Sequence, residues 1–254
     1  MLSARSLLKD SFAHPPAKRP TRWVIRATLL ALGHRVEGVI GGERLRRLEG
    51  PFVAVLNHSQ RTEAFLVPAL LAWLRGGRVL RFLADWNFML VPPVYALYRS
   101  ARVIPVTRKP ARPRWLTPLR RWIAPPPTGF AAARQCLQRG TPVGCFVEGT
   151  INRHPRRLLR GQRGAARLSL ITQVPVLPVG VQFPYHADPA QPIAEREPLS
   201  LHIGPALHPP TDAKNIKRVD AWHATIMRAL ARQSGTVWAP GAQPRAHPAP
   251  LSPA

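Results

Sequence analysis

Four short apolar runs, each closing on a polar or basic turn, constrain this chain more than any other feature of its sequence. They occupy residues 51–56 (Pro-Phe-Val-Ala-Val-Leu), 101–106, 142–147 (Pro-Val-Gly-Cys-Phe-Val) and 174–181 (Val-Pro-Val-Leu-Pro-Val-Gly-Val). Their length and β-branched content read as strands, and the first and third read as buried ones. The fourth is broken by Pro175 and Pro178, which predicts an edge or bulged position. Helical stretches fall between the runs, such as residues 129–139 leading into 142–147, and this alternation argues for an α/β sheet. With 254 residues, the chain suits one such domain with a substantial core, appended helices and tails.

The turns that end these runs carry the chemistry. The first run stops at Asn57-His58, with Glu63 five positions beyond the histidine. On a regular helix, that spacing separates two side chains by about 140° around the axis. If His58 lies in a strand-to-helix turn and Glu63 in the first helical turns, with Ser59 as N-cap, the carboxylate folds back to the imidazole. Such a pair is a general base with an orienting partner; the plainer alternative is a lone histidine hydrogen-bonded at a helix start. The third run ends in Glu148-Gly149-Thr150, with Arg153 close behind. Glu148 is the sole carboxylate among the 102 residues from Trp86 to Ala187, against 16 Arg and Lys. Its turn offers an acceptor, a glycine that lets a ligand approach the backbone, and a hydroxyl; an ordinary strand-end turn with a Glu–Arg pair is the competing explanation. The second run ends in Thr107-Arg108-Lys109, where Arg108 suits a phosphate through forked contacts, or is simply a solvated strand end.

Taken in order, these segments resemble the glycerolipid acyltransferases, the 1-acylglycerol-3-phosphate and lysophospholipid acyltransferases. The family pattern Asn-His-x-x-x-x-Asp corresponds to Asn57, His58 and Glu63, and its arginine block to Val106-Thr107-Arg108. Phe-Pro-Glu-Gly-Thr-Arg-Ser-Arg corresponds to Phe146 through Thr150 with Arg153, and Val-Pro-x-x-Pro-Val to residues 174–179. The resemblance covers roughly residues 35 to 210 and departs at three points: Glu63 for aspartate, Val147 for proline, and Ile151 where many members have arginine. It implies an α/β fold, a single domain over residues 35–235 with a mixed central sheet flanked by helices. It also implies an acyltransferase in membrane lipid biosynthesis, with His58 and Glu63 catalytic. Asn57, Arg108, Glu148, Gly149, Thr150 and Arg153 would bind substrate. The co-substrate would be acyl-CoA or acyl-ACP, with no further cofactor and no metal, and the acceptor lysophospholipid-like. Ile151 removes one phosphate contact, so 1-acylglycerol-3-phosphate is one candidate acceptor among several.

Net charge is +25, from 32 Arg and five Lys against 12 acids. A charge of that size draws a protein to anionic membrane surfaces and to nucleic acid without specifying either. No RRM, zinc-finger or KH signature accompanies it, so no specific nucleic acid is expected, and a basic nucleic-acid-binding protein is the rival class. A non-catalytic lipid-binding relative is the second rival, kept open by Glu63 and Ile151. No stretch of 18 uncharged apolar residues exists and the N-terminus lacks a clean signal core, so a peripheral place on the cytoplasmic face of the cell membrane is expected. Residues 1–34 are expected to be a tail and an amphipathic membrane-associating helix. Its residues 21–33 would offer Trp23, Leu29 and Leu30 to lipid, unless the helix packs on the domain. Residues 86–98, uncharged and aromatic, are either a core helix or the lining of an acyl-chain tunnel. Residues 109–128, rich in Arg and Pro with Trp115 and Trp122, are a surface-binding insert or a solvated loop. The two cysteines, Cys136 and Cys145, fit reduced thiols, and residues 236–254 are expected to be a disordered Pro/Ala-rich tail.

Overall fold

The computed structural model describes residues 19–107, 109–211 and 216–240. The first half runs α1 (Arg19–Leu32), β1 (Val36–Ile40), α2 (Gly42–Arg47), β2 (Val53–Leu56), α3 (Glu63–Leu74), β3 (Arg81–Asp85), α4 (Pro92–Ser100) and β4 (Ile104–Val106). The second half runs α5 (Arg120–Ile123), α6 (Gly129–Gln138), β5 (Val143–Phe146), α7 (Gly164–Thr172), β6 (Val176–Gln182), β7 (Leu199–Ile203) and α8 (Ile216–Ser234). The strands form one seven-stranded sheet in the order β1-β7-β6-β2-β5-β3-β4. From β6 through β4 all neighbours are parallel, while β7 runs antiparallel to β6 and parallel to β1, so the sheet is mixed as expected.

The alternation within β2 shows why the sheet is covered on both faces. Phe52, Ala54 and Leu56 join a core with Ile25 and Leu29 of α1 and the apolar length of α3. Val53 and Val55 point the other way, into a core shared with α6, α7 and α8. A strand apolar on both sides is stable only between two helical layers, which is what the uninterrupted run of residues 51–56 demanded. Because the five strands from β6 to β4 are parallel, their C-terminal ends lie along one side of the sheet. There the polar turns of His58 and Glu148 come together, next to each other on β2 and β5.

Several expectations are corrected. The run at 174–181 is neither an edge nor a bulge, since β6 lies between β7 and β2. Pro178 lacks an N–H to donate, and its carbonyl accepts from the Gly204 amide at 2.9 Å, one residue past the end of β7. In α1, Leu29 is fully buried against the domain and is not available to lipid, whereas Trp23 and Leu30 are exposed. Residues 86–98 are two elements, a 3-10 stretch (Trp86–Leu90) and part of α4. Residues 236–238 do not belong to a tail: Leu158 donates to the Val237 carbonyl at 3.0 Å, and Val237 to that of Arg156 at 2.8 Å. Residues 241–254 lie outside the described residues.

The sheet and α8 approach each other closely at Gly180 of β6. A Cβ there would fall 2.1 Å from the carbonyl carbon of Gln233 and 2.3 Å from the Ser234 nitrogen, both main-chain atoms near the end of α8. Gly180→Ala must therefore push α8 off the sheet. We expect it to lower stability by roughly 1–3 kcal/mol or more, read as a fall in the urea midpoint. An unchanged midpoint would show that α8 yields freely there.

Candidate active site

The turn after β2 does not become helical until Glu63. Residues 57–62 are irregular, and the N-cap is Thr62, not the expected Ser59. This frees the pair from the helical spacing. Glu63, at the first helical position and fully buried, turns back so that its Oε2 lies 2.8 Å from His58 Nδ1. The same oxygen accepts from the Ser59 amide at 2.8 Å. A carboxylate only accepts, so Nδ1 carries the imidazole proton and Nε2 keeps its lone pair. The ring stacks on Phe146, the last residue of β5, with centroids 4.2 Å apart and planes 27° from parallel. With one nitrogen bound and one face covered, the imidazole has a fixed direction, and its side chain keeps 13% exposure.

The main chain of His58 is held from the β5 side. Its amide donates to Glu148 Oε1 at 3.3 Å, and its carbonyl accepts from the Asn152 amide at 2.7 Å. The other oxygen of Glu148 accepts from Asn152 Nδ2 at 2.7 Å and from the Leu159 amide at 2.8 Å. Burial pushes the Glu148 carboxyl up to about 7, while the donors of Leu159, Asn152 and His58 pull it down. Glu148 thus joins the turns that follow β2 and β5. Gly149 has φ +71°, the left-handed region that favours glycine, so the turn needs a glycine here.

Residues 38–182, more than half of the chain, match the family model described as acyltransferase. The chain belongs to this family. In fold, the enzyme is similar to the crystal structure of the 1-acyl-sn-glycerophosphate (LPA) acyltransferase PlsC from Thermotoga maritima. The TM-score is 0.56 at 18% identity, with 92% of this chain and 88% of that chain covered. By sequence, no curated protein matches it.

The remaining expected site residues of this acyltransferase are placed unequally. Asn57 is buried, and its amide is taken up by the backbone of Val181 in β6, donating to the carbonyl at 2.9 Å and accepting from the amide at 2.7 Å. Thr150 is exposed beside the turn. Arg153 forms an ion pair with Glu195. Thr107 ends the edge strand and pairs with Thr128 at 3.1 Å, and Arg108 lies outside the described residues. Among the described residues, no group of three His, Cys, Asp or Glu side chains is arranged to hold a metal ion.

Sequence reasoning missed the support of the His58–Glu63 turn. Arg35, buried just before β1, donates to Thr62 Oγ1 and Gln60 Oε1, both at 2.6 Å, and to the Glu195 carbonyl at 2.7 Å. Gln60 donates to the Ala194 carbonyl at 2.7 Å. Glu195 Oε1 accepts from the Arg61 amide at 2.5 Å and the Thr62 amide at 3.3 Å, so Arg153 reaches the His58–Glu63 turn through Glu195. Phe146 was legible as part of the acyltransferase motif, though not as the platform under the histidine. Arg35, Gln60 and Glu195 carried no local signal.

The raised Glu148 carboxyl has a pH signature. Between about 4.5, its ordinary value, and about 7, the folded state holds a proton that the unfolded chain has released. Stability contributed at this site therefore falls as pH rises through that window and is level above it. Glu148→Gln removes the titration. The stability difference, wild type minus variant, should decline from pH 4.5 to 7 in urea titrations, and a flat difference would contradict the assignment.

Proposed function

We propose that this enzyme transfers a fatty acyl group from an acyl thioester, acyl-CoA or acyl-ACP, to the hydroxyl of a lysophospholipid-like acceptor in membrane lipid biosynthesis. The observation that carries the reading is the buried Glu63 carboxylate on His58 Nδ1, which leaves Nε2 as the free base. As the acceptor oxygen attacks the thioester carbonyl, its proton moves to Nε2. Glu63 then faces an imidazolium across 2.8 Å and stabilises it. Collapse of the tetrahedral intermediate breaks the carbon–sulfur bond, and the imidazolium returns its proton to the departing thiolate. No covalent acyl-enzyme is required. Positioned base catalysis contributes about 10²- to 10⁴-fold, and orientation and electrostatic stabilisation supply the remainder.

The head-group side is less cationic than the family motif suggests. Ile151 stands in place of an arginine, and Arg153 already faces Glu195. Thr150 is the exposed hydroxyl of the turn. This arrangement supports an acceptor whose phosphate carries less charge than a monoester, with 1-acylglycerol-3-phosphate, the substrate after which the Thermotoga maritima enzyme is named, as the comparison. A peripheral place at the cytoplasmic face of the membrane fits the net charge of +25 and the outward Trp23 and Leu30 of α1. Among the described residues, no helix is long and apolar enough to cross a membrane.

Acyl transfer should be measured on purified protein with acyl-CoA and acyl-ACP as donors and a panel of lysolipids as acceptors. His58→Ala should abolish product with an unchanged circular dichroism spectrum, and Glu63→Gln should reduce turnover by about 10²- to 10⁴-fold. Normal turnover in folded His58→Ala would remove the proposed base. Glu195→Gln keeps an acceptor for the Arg61 and Thr62 amides but releases Arg153. We expect KM for 1-acylglycerol-3-phosphate to fall by about three- to ten-fold relative to that for an uncharged monoacylglycerol. Equal KM changes for both would disconnect Arg153 from the head group.

A further inference from the structure

The segment between β4 and α6 is built, not loose. A 3-10 stretch (Arg114–Leu119) runs directly into α5. Ala111 and Ala124 are buried against the fully buried Trp86, forming a small core of their own. Trp86 Nε1 donates to the Lys109 carbonyl at 2.9 Å, and the Arg112 amide to Asn87 Oδ1 at 2.8 Å. Thr117 Oγ1 closes the turn, accepting from the Ala111 amide at 3.1 Å and donating to the Arg114 carbonyl at 2.7 Å.

On this rigid support, the large apolar side chains face outward. Trp115 is 76% exposed, Trp122 72% and Leu119 41%. The hydrogen bonds and the alanine packing fix the backbone that carries them, so their exposure is a property of the fold. Arg112, Arg114, Arg120 and Arg121 are exposed around them, and the Arg121 guanidinium lies 5.4 Å from the Trp122 ring centre. Residues 109–128 contain five basic residues and no acid. Lys109 lies 3.8 Å from Asp85, and none of the four arginines has a salt bridge among the described residues. Indoles among guanidinium groups that face no carboxylate match the boundary of an anionic bilayer, where ring faces sit among the upper acyl chains and cations meet phosphates.

We propose that residues 109–128 are a second membrane-docking surface, which seats the enzyme on anionic lipid through Trp115, Leu119 and Trp122. The proposal deepens the reading of a peripheral lipid enzyme and rests on it for the choice of lipid as partner. Position gives the surface its use. The supporting Trp86–Leu90 stretch carries the exposed Phe88, whose ring centre is 6.4 Å from that of Tyr98. Tyr98 is in turn 6.4 Å from Phe65, two residues beyond Glu63. An aromatic line therefore joins the docking surface to the start of α3, the helix that carries Glu63.

The test is flotation of the full chain with vesicles of phosphatidylcholine plus phosphatidylglycerol and with vesicles of phosphatidylcholine alone. Trp115→Ser combined with Trp122→Ser should weaken binding to the mixed vesicles by at least about ten-fold, with turnover on a dispersed short-chain acceptor unchanged. Arg120→Gln combined with Arg121→Gln should erase most of the preference for mixed over neutral vesicles. Unaltered flotation of the folded tryptophan variant overturns the proposal. So does a result in which only the arginine variant loses affinity and loses it equally for duplex DNA, because the segment is then a general polycation. Flotation needs no turnover, so an inactive protein that still floats through the tryptophan pair removes the catalytic reading and leaves the docking surface standing.

Discussion

The sheet edge that carries His58 depends on the buried carboxyl of Glu148 and the backbone it gathers. One oxygen accepts the amide of His58; the other accepts from Asn152 and Leu159, while Asn152 returns a hydrogen bond to the His58 carbonyl. The turns after β2 and β5 are thereby fixed to each other beyond the end of their ladder. A base placed at the end of a strand needs such restraint, since small losses of orientation cost a large share of the rate. Phe146 adds a surface under the ring, and Glu63 fixes the nitrogen that faces inward.

A chain with 37 basic and 12 acidic residues has few carboxylates to place, and three of them lie around this turn. Glu63 orients the imidazole, Glu148 holds its main chain, and Glu195 receives the Arg61 and Thr62 amides together with Arg153. Each accepts at least one backbone N–H. In an interior of low dielectric, an acceptor with formal charge binds amides more strongly than a neutral one. Here acids fasten loops, while the surplus arginine stays outside, where it raises attraction to anionic surfaces.

The contact between His58 and Glu63 was legible because it is local. His58 and Glu63 are five residues apart, and an irregular turn is short enough to bring them together. The Glu148 turn was legible as a site because its strand ends there, although the direction of its carboxylate, inward to the main chain of His58, was not. Asn57 shows the limit clearly. Its position next to His58 suggested a substrate contact, yet both its donor and its acceptor are engaged by Val181, 124 residues away. The prolines of residues 174–181 misled in the same manner, because the strands that flank β6 come from distant parts of the chain.

By itself, the sequence determined four of the seven strands, the two-sided burial that calls for helical layers, and the order in which the candidate site residues arrive. Those properties follow from periodicity and from contacts within a few residues. The sheet order β7-β6-β2-β5 decided the rest. It brought Val181 to Asn57, the 183–198 connection to Arg35 and Gln60, and Glu195 to the His58–Glu63 turn and Arg153. Partners separated by 42 to 160 residues leave no periodic trace along the chain, so only the packed sheet shows which donor meets which acceptor.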